Sequence, residues 1–236
     1  MLALTVGAGD LHDAALRDTY VSLRSARLLA SLLLGAGFAV SGVLVQGLFR
    51  NPLADPSILG TTAGAVLGGK LTLVVLEMML GITSLGGLAS DLLLPIGCMI
   101  GAALALGCLL ALTWRSRSVL VVLLVGFALS SLFASLGSFL TSVAQQSWEL
   151  GRALVSFALG SVAGVSLRHV AFALGPTLVG FVIAYQLGPS LDLLLSGEDE
   201  ARSLGVDVDF VRRWTAVWVA VLTGAAVSLG GYIGFV

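Results

Sequence analysis

Six stretches of this chain are apolar for long enough to cross a bilayer, and no other feature restricts the fold as strongly. A crossing helix needs about 20 mainly apolar residues to traverse roughly 30 Å of hydrocarbon. The stretches run from Leu28 to Phe49, Ile58 to Leu76, Leu92 to Trp114, Val119 to Val143, Val170 to Leu187 and Trp214 to Tyr232. Charges fall between them: Arg27 and Arg50 bound the first, Arg115 and Arg117 close the third, and Gln145-Gln146-Ser147-Trp148-Glu149 follows the fourth. In hydrocarbon a backbone must satisfy its own polar groups, so each stretch is expected to be helical. The fold class is therefore all-α, a polytopic transmembrane bundle forming a single domain over residues 1–236.

Composition supports lipid as the outer solvent. Charged residues make up 11% of the chain and hydrophobic ones 58%, against roughly 25% charged in ordinary soluble domains. A net charge of −1 gives no electrostatic footprint for nucleic acid. Cys98 and Cys108 share one apolar stretch without a CxxC pair or a Cys/His cluster, so no metal and no cofactor are expected. Met1–Tyr20 carries Asp10, Asp13 and Asp18 instead of a basic start followed by an apolar run. It reads as a short aqueous segment before the first span, not as a signal peptide.

Small residues recur four apart inside the spans, at Gly37/Ser41, Gly64/Gly68, Gly97/Gly101, Ser131/Ser135 and Gly160/Gly164. Helices in lipid gain contact area by close backbone approach, so these pairs predict tight helix packing. Gly151–Leu167 is apolar but rich in Gly and Ser, and reads either as a short re-entrant or interfacial helix or as the start of the fifth span. Three polar groups fall within or at the edge of spans. Gln46 is expected to bond neighbouring backbone, Lys70 to snorkel or pair with a carboxylate, and Glu77 to mark a span end.

Residues 192–213 (DLLLSGEDEARSLGVDVDFVRR) form the longest polar segment between spans. Ser196 is a candidate N-cap, and Glu198, Asp199 and Glu200 place negative charge in a first helical turn. Gly205 offers a stop. Asp207 or Asp209 starts a second helix that runs through Arg212 and Arg213 into the sixth span. Two helices joined at a glycine predict a compact knob on the membrane surface, either a solvated connector or a docking element for a soluble partner. Charge counts do not fix the orientation: Arg50, Arg115, Arg117, Arg202, Arg212 and Arg213 on one side face Arg17, Arg24, Arg27, Arg152 and Arg168 on the other.

Several runs resemble the permease subunits of type II ABC importers for iron-siderophores, haem and vitamin B12, the FecCD/BtuC-like family. Leu23-Arg24-Ser25-Ala26-Arg27-Leu28-Leu29 leads through Gly35–Gly42 to Gln46-Gly47-Leu48-Phe49-Arg50-Asn51-Pro52-Leu53-Ala54-Asp55-Pro56, followed by Ile58-Leu59-Gly60 and Gly64-Ala65. Gly160-Ser161 with Ala163-Gly164, then Glu200–Val206, then Ile233-Gly234-Phe235-Val236 continue in the family's order.

The resemblance implies a ten-span subunit of the bacterial inner membrane, working as a dimer with a second permease subunit around a central path. The six spans here would correspond to the second through seventh, with the family's first and last spans missing from the chain. It further implies that residues 192–213 are the coupling helices that seat on an ATP-binding cassette ATPase. Ala201, Arg202, Ser203, Leu204 and Gly205 would lie in that contact. Arg24 and Arg27 match the paired arginines that meet glutamates of a periplasmic substrate-binding protein, with Arg152 and Arg168 as further candidates for that surface. The fourth span, with Ser130, Ser131, Ser135 and Ser138, corresponds to a path-lining helix. Ser131 and Ser135 are its candidate path residues.

The expected function is thus the membrane subunit of an ATP-driven importer of iron chelates or cobalamin, not itself an enzyme. The phosphate-cradling GxxxxGK[ST] run is absent from the sequence. An ion-gradient-driven secondary transporter is the alternative, and it calls for partnered carboxylates in mid-span. An intramembrane serine protease would need Ser41 or Ser161 beside His12 or His169, and both histidines lie outside or at the edge of spans.

Overall fold

The computed structural model describes residues 14–80, 88–113 and 118–233. Asp10, His12, Asp13, Arg115, Arg117 and the run Gly234-Phe235-Val236 lie outside them. The described residues form eight α-helices: α1 (Ala14–Phe49), α2 (Thr61–Leu80), α3 (Leu88–Thr113), α4 (Val119–Ala144), α5 (Trp148–Leu159), α6 (Leu167–Leu195), α7 (Glu198–Ser203) and α8 (Val208–Gly230). A 3-10 turn, Pro56–Leu59, precedes α2. Six of these helices are long and apolar enough to cross a membrane, one in each predicted stretch. No strand occurs among the described residues, and the all-α expectation stands.

The helices overrun the apolar stretches. α1 has 36 residues, about 54 Å at 1.5 Å per residue, so it begins well before Leu28 and carries Arg24 and Arg27 inside an unbroken helix. The segment ahead of the first span is therefore helical from Ala14 onward. Charge marks where hydrocarbon ends, whereas Leu, Arg and Ala continue a helix readily in water. Gly151–Leu167 resolves into a separate helix. α5 ends at Gly160, whose φ of 72° is open to glycine, and a loop leads to Ser166, which caps α6 by accepting from His169 N at 3.2 Å.

Successive long helices alternate in direction between an end containing Arg27 and an end containing Arg50. α8 is the hub, 72% buried over its span, while α4 is 17% buried and lies at the edge. Leu120, Leu124, Phe127 and Phe139 of α4 project outward. Each would cost roughly 1.5–3 kcal/mol if left in water, so this face requires lipid or another apolar surface. The tightest crossing joins α2 to α3. A methyl group added at Gly68 would overlap the Gly97 carbonyl oxygen, and one at Gly101 would overlap that of Gly64. The two predicted small-residue pairs thus face each other and let the backbones touch. Deeper in, the Thr223 and Thr61 hydroxyls meet at 3.2 Å while Thr223 donates to Val219 O at 2.7 Å, pinning α8 to the start of α2.

Candidate functional site

At the Arg50 end, α6, α7 and α8 build the knob. Ser196 is not the N-cap of α7: it completes the last turn of α6, with φ −71° and its N–H directed to Leu193 O. The reversal falls instead on Gly197, whose φ of 133° suits only glycine, and a side chain there would collide with the Glu200 carboxylate. Glu198, Asp199 and Glu200 then occupy the first turn of α7 as predicted. The chain turns again at Gly205, φ 88°. Asp207 caps α8, its Oδ1 accepting from Phe210 N at 2.9 Å. The second helix of the knob is not short, because α8 continues unbroken from Val208 to Gly230.

Two ion pairs close the knob. Arg212 Nη2 donates to Glu198 Oε1 at 2.7 Å, and Arg202 lies 3.8 Å from Asp209. The first is largely shielded and the second is exposed, so the first contributes more. Of the five predicted contact residues, Ala201 is fully buried and fixes α7 to its base. Arg202, Ser203, Leu204 and Gly205 face outward, and Leu204 is an apolar tip 65% exposed on an otherwise charged surface.

At the opposite end, Arg27 lies on the exposed side of α1 and its Nε donates to Ala163 O at 3.2 Å. That bond ties the guanidinium to the α5–α6 loop. Arg24, one turn earlier, is half-buried. The loop is itself fastened to the end of α8: Ser161 N donates to Gly230 O at 2.8 Å, and Tyr232 N to Phe157 O at 3.1 Å.

Between the two ends, α2, α4 and α5 flank an open cleft of about 480 Å³. Ser57, Thr62, Lys70, Phe127, Ser131 and Ser138 are among its lining residues. Ser135 faces outward on α4 without lining the cleft. Both candidate path serines bond back along their own helix, Ser131 to Phe127 O at 3.0 Å and Ser135 to Ser131 O at 2.8 Å. Their hydroxyl protons are thereby engaged, which leaves a surface of low adhesion. Ser130 instead bridges to Ser57 O at 2.9 Å.

Lys70 does not snorkel, and it pairs with no carboxylate among the described residues. It is buried, and its Nζ donates to Gly137 O at 3.0 Å and Thr141 Oγ1 at 2.9 Å on α4. A cation at this depth costs about 2.5–3.5 kcal/mol on insertion scales. Two neutral acceptors offset only part of that. Thr62 is also buried, and its Oγ1 has no hydrogen-bond partner. Sequence reasoning missed Thr62, since one threonine in a span carries no signal. It also missed the Glu198–Arg212 pair, whose members are separated by the chain reversal at Gly205. Among the described residues no cluster of His, Cys, Asp and Glu could hold a metal.

Spanning helices with a braced knob at one end, an arginine-bearing surface at the other and a hydroxyl-lined cleft between them define a multi-pass membrane protein. The chain belongs to the FecCD transport family, whose model matches residues 3–236. It is 33% identical over 225 residues to the molybdate import system permease protein MolB of Haemophilus influenzae, covering 95% of this chain and 63% of that one. It is 37% identical over 219 residues to the vitamin B12 import system permease protein BtuC of Vibrio vulnificus, covering 92% and 62%. It is 32% identical over 249 residues to the hemin transport system permease protein HmuU of Yersinia pestis, covering 100% and 70%. The chain thus spans less than two thirds of the length of the first two relatives. A solved metal-chelate type ABC transporter in an inward-facing conformation superimposes with a TM-score of 0.83 at 29% identity, over 99% of this chain and 72% of that one. Family and spans together make this a multi-pass protein of the inner membrane.

Proposed function

We propose that the chain is the membrane-spanning part of an ATP-driven importer, moving a metal chelate, haem, a corrinoid or an oxyanion from a periplasmic binding protein to the cytoplasm. The observation that carries this reading is the knob. Two glycine turns, an Asp207 cap and the Glu198–Arg212 pair make it rigid, and it is continuous with the most buried helix of the bundle. A soluble ATPase that closes on nucleotide needs such a handle to displace spans. Leu204, flanked by Arg202 and Ser203, supplies an apolar anchor in a polar rim, the usual anatomy of a docking patch.

In this reading the Arg50 end is cytoplasmic and ATP hydrolysis belongs to the partner, so this chain has no catalytic residue. Arg24 and Arg27 face the periplasm, where a planar guanidinium can grip a glutamate of the binding protein in two places. The bond from Arg27 to Ala163 supports such preorganisation. The exposed face of α4 suits contact with a second permease subunit across a shared path. Residues 192–213 are the coupling segment, and the six spans correspond to the second through seventh of a ten-span subunit. A gradient-driven mechanism finds no support in the relatives named above.

The test is co-expression of the full-length permease with the ATPase and binding protein encoded beside it. ATP-dependent uptake into proteoliposomes, abolished when residues 201–205 are replaced by a Gly-Ser linker, is the expected result. Uptake driven equally well by an ion gradient without nucleotide would overturn the reading.

A further inference from the structure

The cleft between α2, α4 and α5 contains one feature that a passage for neutral cargo does not require. Lys70 stands in its wall at mid-span with two of its three N–H donors committed, to Gly137 O and Thr141 Oγ1. The third has no partner among the described residues. No aspartate or glutamate among the described residues lines the cleft, and neither ion pair found among them involves Lys70. Thr62 stands two turns earlier on the same helix, lines the same cleft, and is 4% exposed with an orphan Oγ1. A buried hydroxyl without a partner and a buried ammonium without a counter-ion are each costly alone. Each is relieved by an incoming acceptor, at Lys70 a negatively charged oxygen and at Thr62 any hydrogen-bond acceptor. Because the two stand about 12 Å apart along the helix axis, they need separate atoms. Ser138 and Ser131 widen the polar strip on the facing helix, and the volume lies within the range of small-molecule sites.

We propose that this cleft is an anion subsite on the transport path, in which Lys70 receives a carboxylate or oxyanion oxygen of the cargo. The proposal rests on the importer reading and narrows it: the solute carried is anionic, not a neutral hydroxamate chelate. Lys70 supplies the charge. Thr62 offers a hydrogen bond about 12 Å away to a second acceptor of a longer cargo, and Gly137 and Thr141 hold the ammonium in place. A single cation with mostly apolar surroundings also allows the solute to leave, because a tighter cage would trap it.

The experiment uses the full-length permease assembled with its ATPase and binding protein in proteoliposomes. Three probes are compared: molybdate and hemin, which carry negative oxygens, and ferrichrome, which is neutral. Wild-type uptake of molybdate would mark a free oxyanion as the source of the negative oxygen, and uptake of hemin a carboxylate on a larger chelate. With either, Lys70→Met is expected to reduce uptake at least about tenfold and Lys70→Arg to retain most of it, roughly the change that follows removal of one charge-assisted hydrogen bond. Should Lys70→Met fail to co-elute with the ATPase, Lys70→Gln decides, since it keeps a donor in the cleft wall while removing the charge. It is expected to raise the KM for the anion about threefold, and an unchanged KM overturns the proposal. Wild-type uptake of only the neutral probe, indifferent to Lys70→Met, also overturns it while leaving the importer intact. An assembly that hydrolyses ATP but does not import the solute its own binding protein captures overturns the importer reading itself.

Discussion

Arg212, in the first turns of α8, reaches back across fourteen residues to Glu198 at the start of α7, with Nη2 and Oε1 2.7 Å apart. The bond closes the knob across the Gly205 turn. About a third of either side chain is open to solvent at most, so the pair is worth more than an ordinary surface bridge, on the order of 1 kcal/mol. Glu198→Gln is expected to loosen the knob and reduce substrate moved per ATP hydrolysed roughly fivefold, while the ATPase still co-purifies. Parallel uptake and phosphate-release assays measure that ratio, and an unchanged ratio would refute the bracing role.

The exposed tip of the knob makes a separate prediction. Leu204→Glu places a charge where an apolar anchor stands and leaves the packing inside the chain undisturbed. Co-purification with the ATPase should fall at least about tenfold, while the melting temperature of the detergent-solubilised permease stays unchanged. Gly205→Val has a different effect. It forces a β-branched residue to φ 88°, costs about 1–2 kcal/mol, and should lower both co-purification and melting temperature.

Glycines on the α2–α3 crossing and glycines in open space should respond oppositely. Gly68→Ala drives a methyl group into the Gly97 carbonyl, and Gly101→Ala does the same to Gly64. Each is expected to destabilise by about 1–3 kcal/mol. Gly107→Ala and Gly175→Ala meet nothing within 4 Å and should be neutral or stabilising by up to about 1 kcal/mol. Thermal unfolding in detergent distinguishes the two pairs.

Ser131 lines the cleft, so Ser131→Trp should obstruct uptake while assembly persists. Ser135 lies outside the cleft lining, and the same change there should be tolerated unless a second subunit packs against it. Normal uptake by the Ser131 variant would remove this helix from the path.

Arg27→Glu reverses charge on the outer side of α1 and breaks the bond to Ala163. Affinity for the binding protein, read by surface plasmon resonance at two salt concentrations, should drop at least about tenfold, and the residual binding should lose its salt sensitivity. Equal affinity in both proteins would leave Arg27 with an anchoring role only.

The sequence disclosed the spans because hydrocarbon demands long apolar runs, and it disclosed the knob because charge cannot enter them. It did not disclose where the helices end. α1 continues outward past Arg27 and Arg24, since nothing in Leu-Arg-Ser-Ala-Arg breaks a helix. The Ser196 cap was a fair expectation from local preference, but tertiary continuation of α6 took that residue and passed the turn to Gly197. The Gly64/Gly68 and Gly97/Gly101 pairs were visible as small residues, though their mutual facing is a property of two helices together. Lys70 was conspicuous as a charge among apolar neighbours. Its partners were not, because Gly137 offers only a backbone carbonyl and lies 67 residues away.

The fastening of α8 at both tips has a further consequence. From Val208 beside the knob to Gly230 it has 23 residues and no proline, a strut of about 35 Å. Its far tip holds Ser161, two residues from the carbonyl that anchors Arg27. A torque applied beneath one membrane face therefore reaches the other without passing through a joint. In the importer proposed above, a displacement of the knob and one of the arginine-bearing surface would occur together.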